Sequence, residues 1–97
     1  MSVIADAKAE DLRAMLEAVK TFEFWNPECY DDCIKDEYGL TYSGEFAGYN
    51  WLVSVSDDGK CLLTIYGRNS RWNSQEDCNK FLIANFTDIL NHKLEEV

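Results

Sequence analysis

The sequence predicts an α+β fold of order ααβββα, a three-stranded antiparallel sheet with helices packed on one face. Two observations predict it. Apolar residues recur at helical spacing towards both ends of the 97-residue chain, whereas apolar and polar residues alternate in its middle third. That middle third also contains the turn Asp57-Asp58-Gly59-Lys60, typical of a β-hairpin. The length is that of one domain, residues 1–97.

The first helix is predicted from about residue 5 to residue 22. Five apolar residues recur there with the spacing of one helix face: Leu12, Met15, Leu16, Val19 and Phe22. Asp6, Glu10 and Asp11 lie near the start, where the helix dipole favours negative charge.

A second, short helix is predicted from residue 27 to residue 35 or 36. Asn26 suits an N-cap, and Pro27 suits the first helical position. Tyr30, Cys33 and Ile34 would then face inward. Glu28, Asp32 and Asp36 would follow one another at ~6 Å along the axis, which predicts a row of carboxylates on one outer helix face.

Three strands are predicted after Gly39, which ends the short helix. Residues 40–43 with 45–46 form the first strand, and Gly48 interrupts the run. Over residues 51–56 and 61–66, every second residue is apolar, as in two strands of a sheet with one buried face. These residues are Trp51, Val53 and Val55 in one strand and Cys61, Leu63 and Ile65 in the other. The Asp-Gly pair between them tolerates positive φ, so the three strands form a meander.

The last helix is predicted from residue 75 to residue 92 or 93, after a polar connection over residues 67–73. The sequence from Ser74 to Asp77 resembles a capping box with Asp in place of the usual Glu. Seven residues mark the helix face expected to turn inward: Cys78, Phe81, Leu82, Asn85, Phe86, Ile89 and Leu90.

Negative charge is concentrated in the first part of the chain. The chain has 18 acidic and 9 basic residues, a net charge of −9, which argues against direct binding to nucleic acid or to an anionic membrane. Residues 1–58 contain 13 acidic and 4 basic residues, whereas residues 59–97 contain 5 of each. Between Glu23 and Glu37, six carboxylates face one base, Lys35. Their repulsion costs the fold roughly 1–2 kcal/mol, which invites a functional explanation.

Catalytic and metal-binding patterns are weak. His92, the one histidine, lies near the end of the last helix, and no Gly-rich phosphate loop or nucleophile elbow is present. We therefore predict no enzyme, no cofactor and no metal. The cysteines, Cys29, Cys33, Cys61 and Cys78, could gather around zinc, but they lack a CxxC pair. The chain starts without the pattern of a secretory signal and contains no apolar run of ~18 residues, so we expect a cytoplasmic protein with free thiols.

The acidic surface is therefore the predicted site of function. Its expected partner-binding residues are Glu23, Glu28, Asp31, Asp32, Asp36, Glu37, Asp57 and Asp58. Complementary charge accelerates encounter with a basic surface and sets its orientation. Large basic surfaces commonly belong to nucleic-acid-binding proteins. A rigid array of carboxylates can occupy the channel that such a protein offers to DNA.

In size, acidity, lack of a catalytic motif and the crowded segment from Glu23 to Glu37, the sequence resembles the small acidic anti-CRISPR proteins of phages. It is most similar to the type I-F inhibitors of the DNA-mimic kind. The resemblance implies a stoichiometric inhibitor of a crRNA-guided surveillance complex in the bacterial cytoplasm. It would lie between the Cas8-type subunit and the Cas7-type backbone, where target DNA enters, and block DNA binding without chemistry.

Two alternatives remain, another acidic inhibitor and a protein of a different class. An immunity protein or antitoxin that masks a nuclease would use the same electrostatics. A plain acidic interaction module, dimeric through its aromatic sheet, needs no nucleic-acid-binding partner. An enzyme comes last.

Overall fold

The fold is a five-stranded antiparallel meander, preceded and followed in sequence by two helices that pack against each other. The computed structural model describes residues 3–97, and the side chains of residues 8–97. The elements are α1 (Val3–Val19), β1 (Asp32–Asp36), β2 (Gly39–Phe46), β3 (Tyr49–Ser56), β4 (Cys61–Ile65), β5 (Arg68–Trp72) and α2 (Gln75–Glu95). Successive strands pair antiparallel, in the order β1-β2-β3-β4-β5. The protein is α+β, but the predicted order ααβββα with its three-stranded sheet is wrong.

The predicted helix over residues 27–36 is a turn followed by β1. Asn26 does begin a turn, because its backbone oxygen accepts from the N–H groups of Cys29 (2.7 Å) and Tyr30 (3.2 Å). The turn does not propagate. Asp31 N instead donates to Ser43 O at 2.8 Å, and pairing with β2 follows. A helix of about ten residues is marginal alone, whereas the strand gains a hydrogen-bonded ladder along β2.

The predicted polar connection over residues 67–73 is β5. A tight turn at Tyr66 and Gly67 joins β4 to β5, and both residues have positive φ, 58° and 71°. Positive φ at both central residues is the geometry of a type I′ hairpin turn. Tyrosine rarely adopts positive φ, so the dipeptide Tyr66-Gly67 does not indicate a hairpin turn when only the sequence is considered.

The other boundaries agree more closely with the sequence. β2 and β3 are separated at Ala47-Gly48, and the turn after β3 lies at Asp57-Asp58. Ser74 caps α2, and its Oγ accepts from Asp77 N at 3.1 Å as the capping pattern predicts. The first helix ends at Val19 instead of continuing to Phe22, although Phe22 is buried.

The core lies on the face of the sheet towards which alternate residues of β3 and β4 point. Trp51, Val53, Cys61, Leu63 and other strand residues cluster there with Leu82 and further apolar residues of α2. The opposite face, called here the outer face, carries the intervening residues of each strand. In register, these are Ile34, Thr41, Ser54, Leu62 and Arg71 in one row, and Asp32, Ser43, Leu52, Thr64 and Asn69 in the next.

A buried amide holds the segment between α1 and β1. Asn79 of α2 is 6% exposed, and its Oδ1 accepts from Phe24 N at 3.0 Å while its Nδ2 donates to Phe22 O at 2.6 Å. Phe22 and Phe24 are both buried. Glu23, between them, is therefore directed to solvent.

Neither helix within residues 3–97 has the length and hydropathy required to cross a bilayer.

Candidate functional site

The carboxylates predicted to bind a partner are all exposed, but they belong to several elements. Glu23 and Glu28 lie in the segment before β1, and Asp31 immediately precedes that strand. The others are in β1 or in turns: Asp32, Asp36, Glu37, Asp57 and Asp58. The predicted row on one helix face is wrong. In a strand, four residues span about 13 Å, so Asp32 and Asp36 lie about twice as far apart as a helix would place them.

The topology brings two acidic turns to the same end of the sheet. In an antiparallel meander the β1–β2 and β3–β4 turns lie at one end, and here Gly39 pairs directly with Ser56. Asp36 and Asp58 line a common groove of about 680 Å³. We call Asp36, Glu37, Asp57 and Asp58 the acidic end of the sheet. Lys60 and Arg71 also line the groove, so positive charge borders the acidic end on one side.

Hydrogen bonds hold two carboxylates of the acidic end in place. Asp36 Oδ1 accepts from the backbone N–H groups of Tyr38 (2.8 Å) and Gly39 (3.1 Å). Asp58 Oδ1 accepts from Ser56 Oγ (2.6 Å) and Lys60 N (3.1 Å). The hydrogen bond from Ser56, and then that from the Lys60 backbone, lowers the pKa of Asp58 below its usual range. Asp58 is therefore ionised at neutral pH and fixed in orientation.

Two further carboxylates accept hydrogen bonds from backbone N–H groups at the β1 edge of the sheet. Asp31 Oδ2 accepts from Glu45 N at 3.2 Å, which extends the bonding of β2 beyond the start of β1. Asp32 Oδ1 accepts from Cys33 N at 2.9 Å. The side chains of Glu23, Glu28, Glu37 and Asp57 make no hydrogen bonds to the described part of the chain. Their substitution therefore changes charge with little direct effect on the fold.

The eight carboxylates are not neutralised by ion pairs with the described side chains. Across side chains 8–97, the close acid–base contacts are Lys20–Glu17 at 3.0 Å and His92–Glu95 at 3.8 Å, the second an ion pair only when His92 is protonated, and neither involves the predicted site. Lys35, the base inside the acidic segment, alternates with Asp32 and Asp36 along β1. Successive strand residues point to opposite faces, so the Lys35 side chain points to the face of the sheet opposite that of Asp32 and Asp36.

The outer face is mainly neutral between these charges. Thr41 Oγ1 and Ser54 Oγ are 3.2 Å apart, and Thr64 Oγ1 donates to Asn69 Oδ1 at 2.8 Å, so three hydroxyls of this face are hydrogen-bonded within it. Ile34, expected to face inward, is 57% exposed here. The sequence does not predict this exposure, because the direction of the Ile34 side chain depends on whether residues 32–36 form a helix or a strand. The alternation of Asp32, Ile34 and Asp36 was the available signal.

The four cysteines are free thiols, two of them buried and two half-buried. Cys61 and Cys78 are buried between β4 and α2. Burial raises the pKa of the Cys61 thiol above its usual value, and it raises the pKa of Cys78 to about 12. A thiol with so high a pKa is a poor nucleophile at neutral pH. Cys29 lies in the turn and Cys33 in β1, so these two cysteines do not share a helix face. The described residues contain no group of three or more metal-ligating side chains.

Comparison with known proteins finds no relative: no family model, no curated protein and no solved structure matches the chain. The resemblance to anti-CRISPR proteins therefore stays a prediction from size and charge.

Proposed function

We propose that this protein is a noncatalytic inhibitor that docks its carboxylates onto the basic, nucleic-acid-binding surface of another protein, in the place of DNA. The observation that supports this proposal is that eight exposed carboxylates, four of them at the acidic end of the sheet, make no ion pair with the described side chains.

The electrostatics favour docking over a purely structural role. Uncompensated like charges repel and so reduce the stability of the free protein. Lys and Arg side chains of a partner would remove that repulsion. Asp36 and Asp58 are already oriented by hydrogen bonds, so less side-chain entropy is lost on binding than for mobile carboxylates.

The proposed target is a type I-F CRISPR surveillance complex in the bacterial cytoplasm, at the channel between its Cas8-type and Cas7-type subunits. The support for this particular target is the resemblance in length, acidity and lack of a catalytic motif. A nuclease masked by an immunity protein presents a similar basic surface, so the same carboxylates would serve there.

A pair of charge-matched variants tests the docking surface. The site variant combines Glu23→Gln, Glu28→Gln, Glu37→Gln and Asp57→Asn, whose side chains make no hydrogen bonds to the described residues. The control variant combines four exposed acids elsewhere: Glu10→Gln, Glu76→Gln, Asp88→Asn and Glu96→Gln. Each variant neutralises four of the charges that make up the net −9, so overall charge is the same in both.

The assay is displacement of labelled target duplex from a purified type I-F complex, titrated at about 50 and about 200 mM salt. We expect the wild type and the control variant to displace DNA near stoichiometric concentration. The site variant should be weaker by about fourfold to several hundredfold, because four exposed charge contacts at about 0.2–1 kcal/mol each sum to roughly 0.8–4 kcal/mol.

Two results would contradict the proposal at different levels. Equal potency of the site and control variants would reject these residues as the docking surface. Absence of any displacement by the wild type would reject the CRISPR target. Inhibition of a purified nuclease toxin in a parallel titration would then favour the immunity function.

A further inference from the structure

β1 is an open edge of the sheet. It pairs with β2 on one side and is the outermost strand on the other. Four of its five side chains are exposed, and Cys33 is half-buried. The other edge strand, β5, lies beside α2, and its Trp72 packs on Phe81 with ring centroids 4.8 Å apart. β5 therefore has more of its surface packed against a helix than β1 has.

The backbone of β1 has a donor available at this edge. Alternate residues of an edge strand direct their N–H and C=O groups away from the sheet. Cys33 N donates to the carboxylate of its neighbour Asp32 at 2.9 Å, not to β2. The Asp32 oxygen thus takes the position that a backbone carbonyl of an added strand would occupy.

The side chains of β1 add a recognisable pattern to this edge. Asp32, Ile34 and Asp36 alternate on the outer face, so an exposed apolar side chain lies between two carboxylates. In an added strand, the residues directly opposite would share this face. Opposite-charge and apolar cross-strand pairs would stabilise such an addition.

We propose that β1 binds an extended segment of a basic protein partner by adding it to the sheet as a sixth strand. At three alternate positions the segment carries a basic residue, a β-branched apolar residue and a second basic residue, where each basic residue is Arg or Lys. This strand addition rests on the proposed function, from which the basic charge of the partner is taken, and it specifies how the partner docks. On binding, the Asp32 carboxylate turns to the basic side chain and releases Cys33 N–H to a carbonyl of the added strand.

A second copy of this chain fits the edge poorly. Pairing β1 with β1 of another copy would bring Asp32 and Asp36 close to like charges, which is destabilising. β5 offers Asn69 and Arg71 on the outer face, and Arg68 points to the opposite face. It therefore cannot present two basic residues around an apolar one on the required face.

The test is titration of the full protein with the capped peptide Thr-Arg-Thr-Ile-Thr-Arg-Thr, followed by amide NMR spectra and hydrogen exchange. The matched peptide Thr-Arg-Arg-Thr-Ile-Thr-Thr has the same composition but lacks the alternation. Two further versions are N-methylated at alternate amides, one on each edge of the peptide. We expect slowed exchange of the Cys33 amide and binding about tenfold tighter than the matched peptide, because charge pairs form in register. Only one N-methylated version should lose binding.

Protein variants separate the mode of docking from charge alone. Asp32→Asn with Asp36→Asn should weaken binding of the alternating peptide, whereas Glu76→Gln with Asp88→Asn should not. Equal binding of the two peptides, or equal effects of the two N-methylated versions, would overturn strand addition. Those outcomes leave DNA displacement by the whole protein unaffected. Conversely, strand addition without any DNA displacement would reject the proposed function and keep this inference.

Discussion

Asn79, near the start of α2, links that helix to the segment that carries Glu23. The side chain is 6% exposed, and it bonds Phe24 N and Phe22 O at 3.0 and 2.6 Å. In Asn79→Ala, both backbone groups lose their partner inside the protein. An unsatisfied buried polar group costs about 1–3 kcal/mol, so for the two groups we expect a loss of about 2–6 kcal/mol in the free energy of unfolding. That is a large part of the roughly 5–15 kcal/mol typical of a domain.

Urea unfolding followed by tryptophan fluorescence measures this loss, because Trp25 and Trp51 pack beside the segment. The matched control is Asn85→Ala on the same helix, where Nδ2 donates to the exposed Phe81 carbonyl at 2.8 Å. We expect the control to change stability by no more than about 0.5 kcal/mol. If the two variants lose the same amount, the aromatic packing of Phe22 and Phe24 holds the segment and the amide does not.

Three further predictions concern the core, a thiol and a turn. Phe86→Ala should lower the free energy of unfolding by about 3–5 kcal/mol in the same urea assay, because the ring is fully buried against Phe22 and Phe46. Iodoacetamide should modify Cys78 only as fast as the protein opens, since its pKa is raised to about 12 by burial; rapid labelling of the folded protein would contradict this. The lowered pKa of Asp58 adds stability above the pKa of the unfolded chain, and this is lost as pH falls through the folded value. The stability advantage of wild type over Asp58→Ala in thermal melts should therefore shrink between about pH 7 and about pH 2, and a constant difference would refute it.

Local signals were sufficient where they agreed with the tertiary environment. The alternation over β3 and β4 and the Ser74 cap predict those elements, because burial on one face and N–H groups at a helix start depend on nearby sequence. The exposure of the eight predicted site carboxylates also follows from the sequence, since charged side chains stay in water. Their arrangement does not, because Asn26-Pro27-Glu28 starts a helix and a turn equally well.

The sequence by itself determined that excess negative charge lies before Gly59, that the middle of the chain forms a meander, and that a capped helix closes it. These are local properties of composition and periodicity. Only the tertiary structure decided that residues 32–36 form β1, that Tyr66 and Gly67 turn the chain into β5, and that Asp36 and Asp58 share a groove. The reason is physical: a strand is stabilised by hydrogen bonds to a neighbour distant in sequence. That neighbour, β2, converts an expected helical row of carboxylates into an open, acidic edge of a sheet.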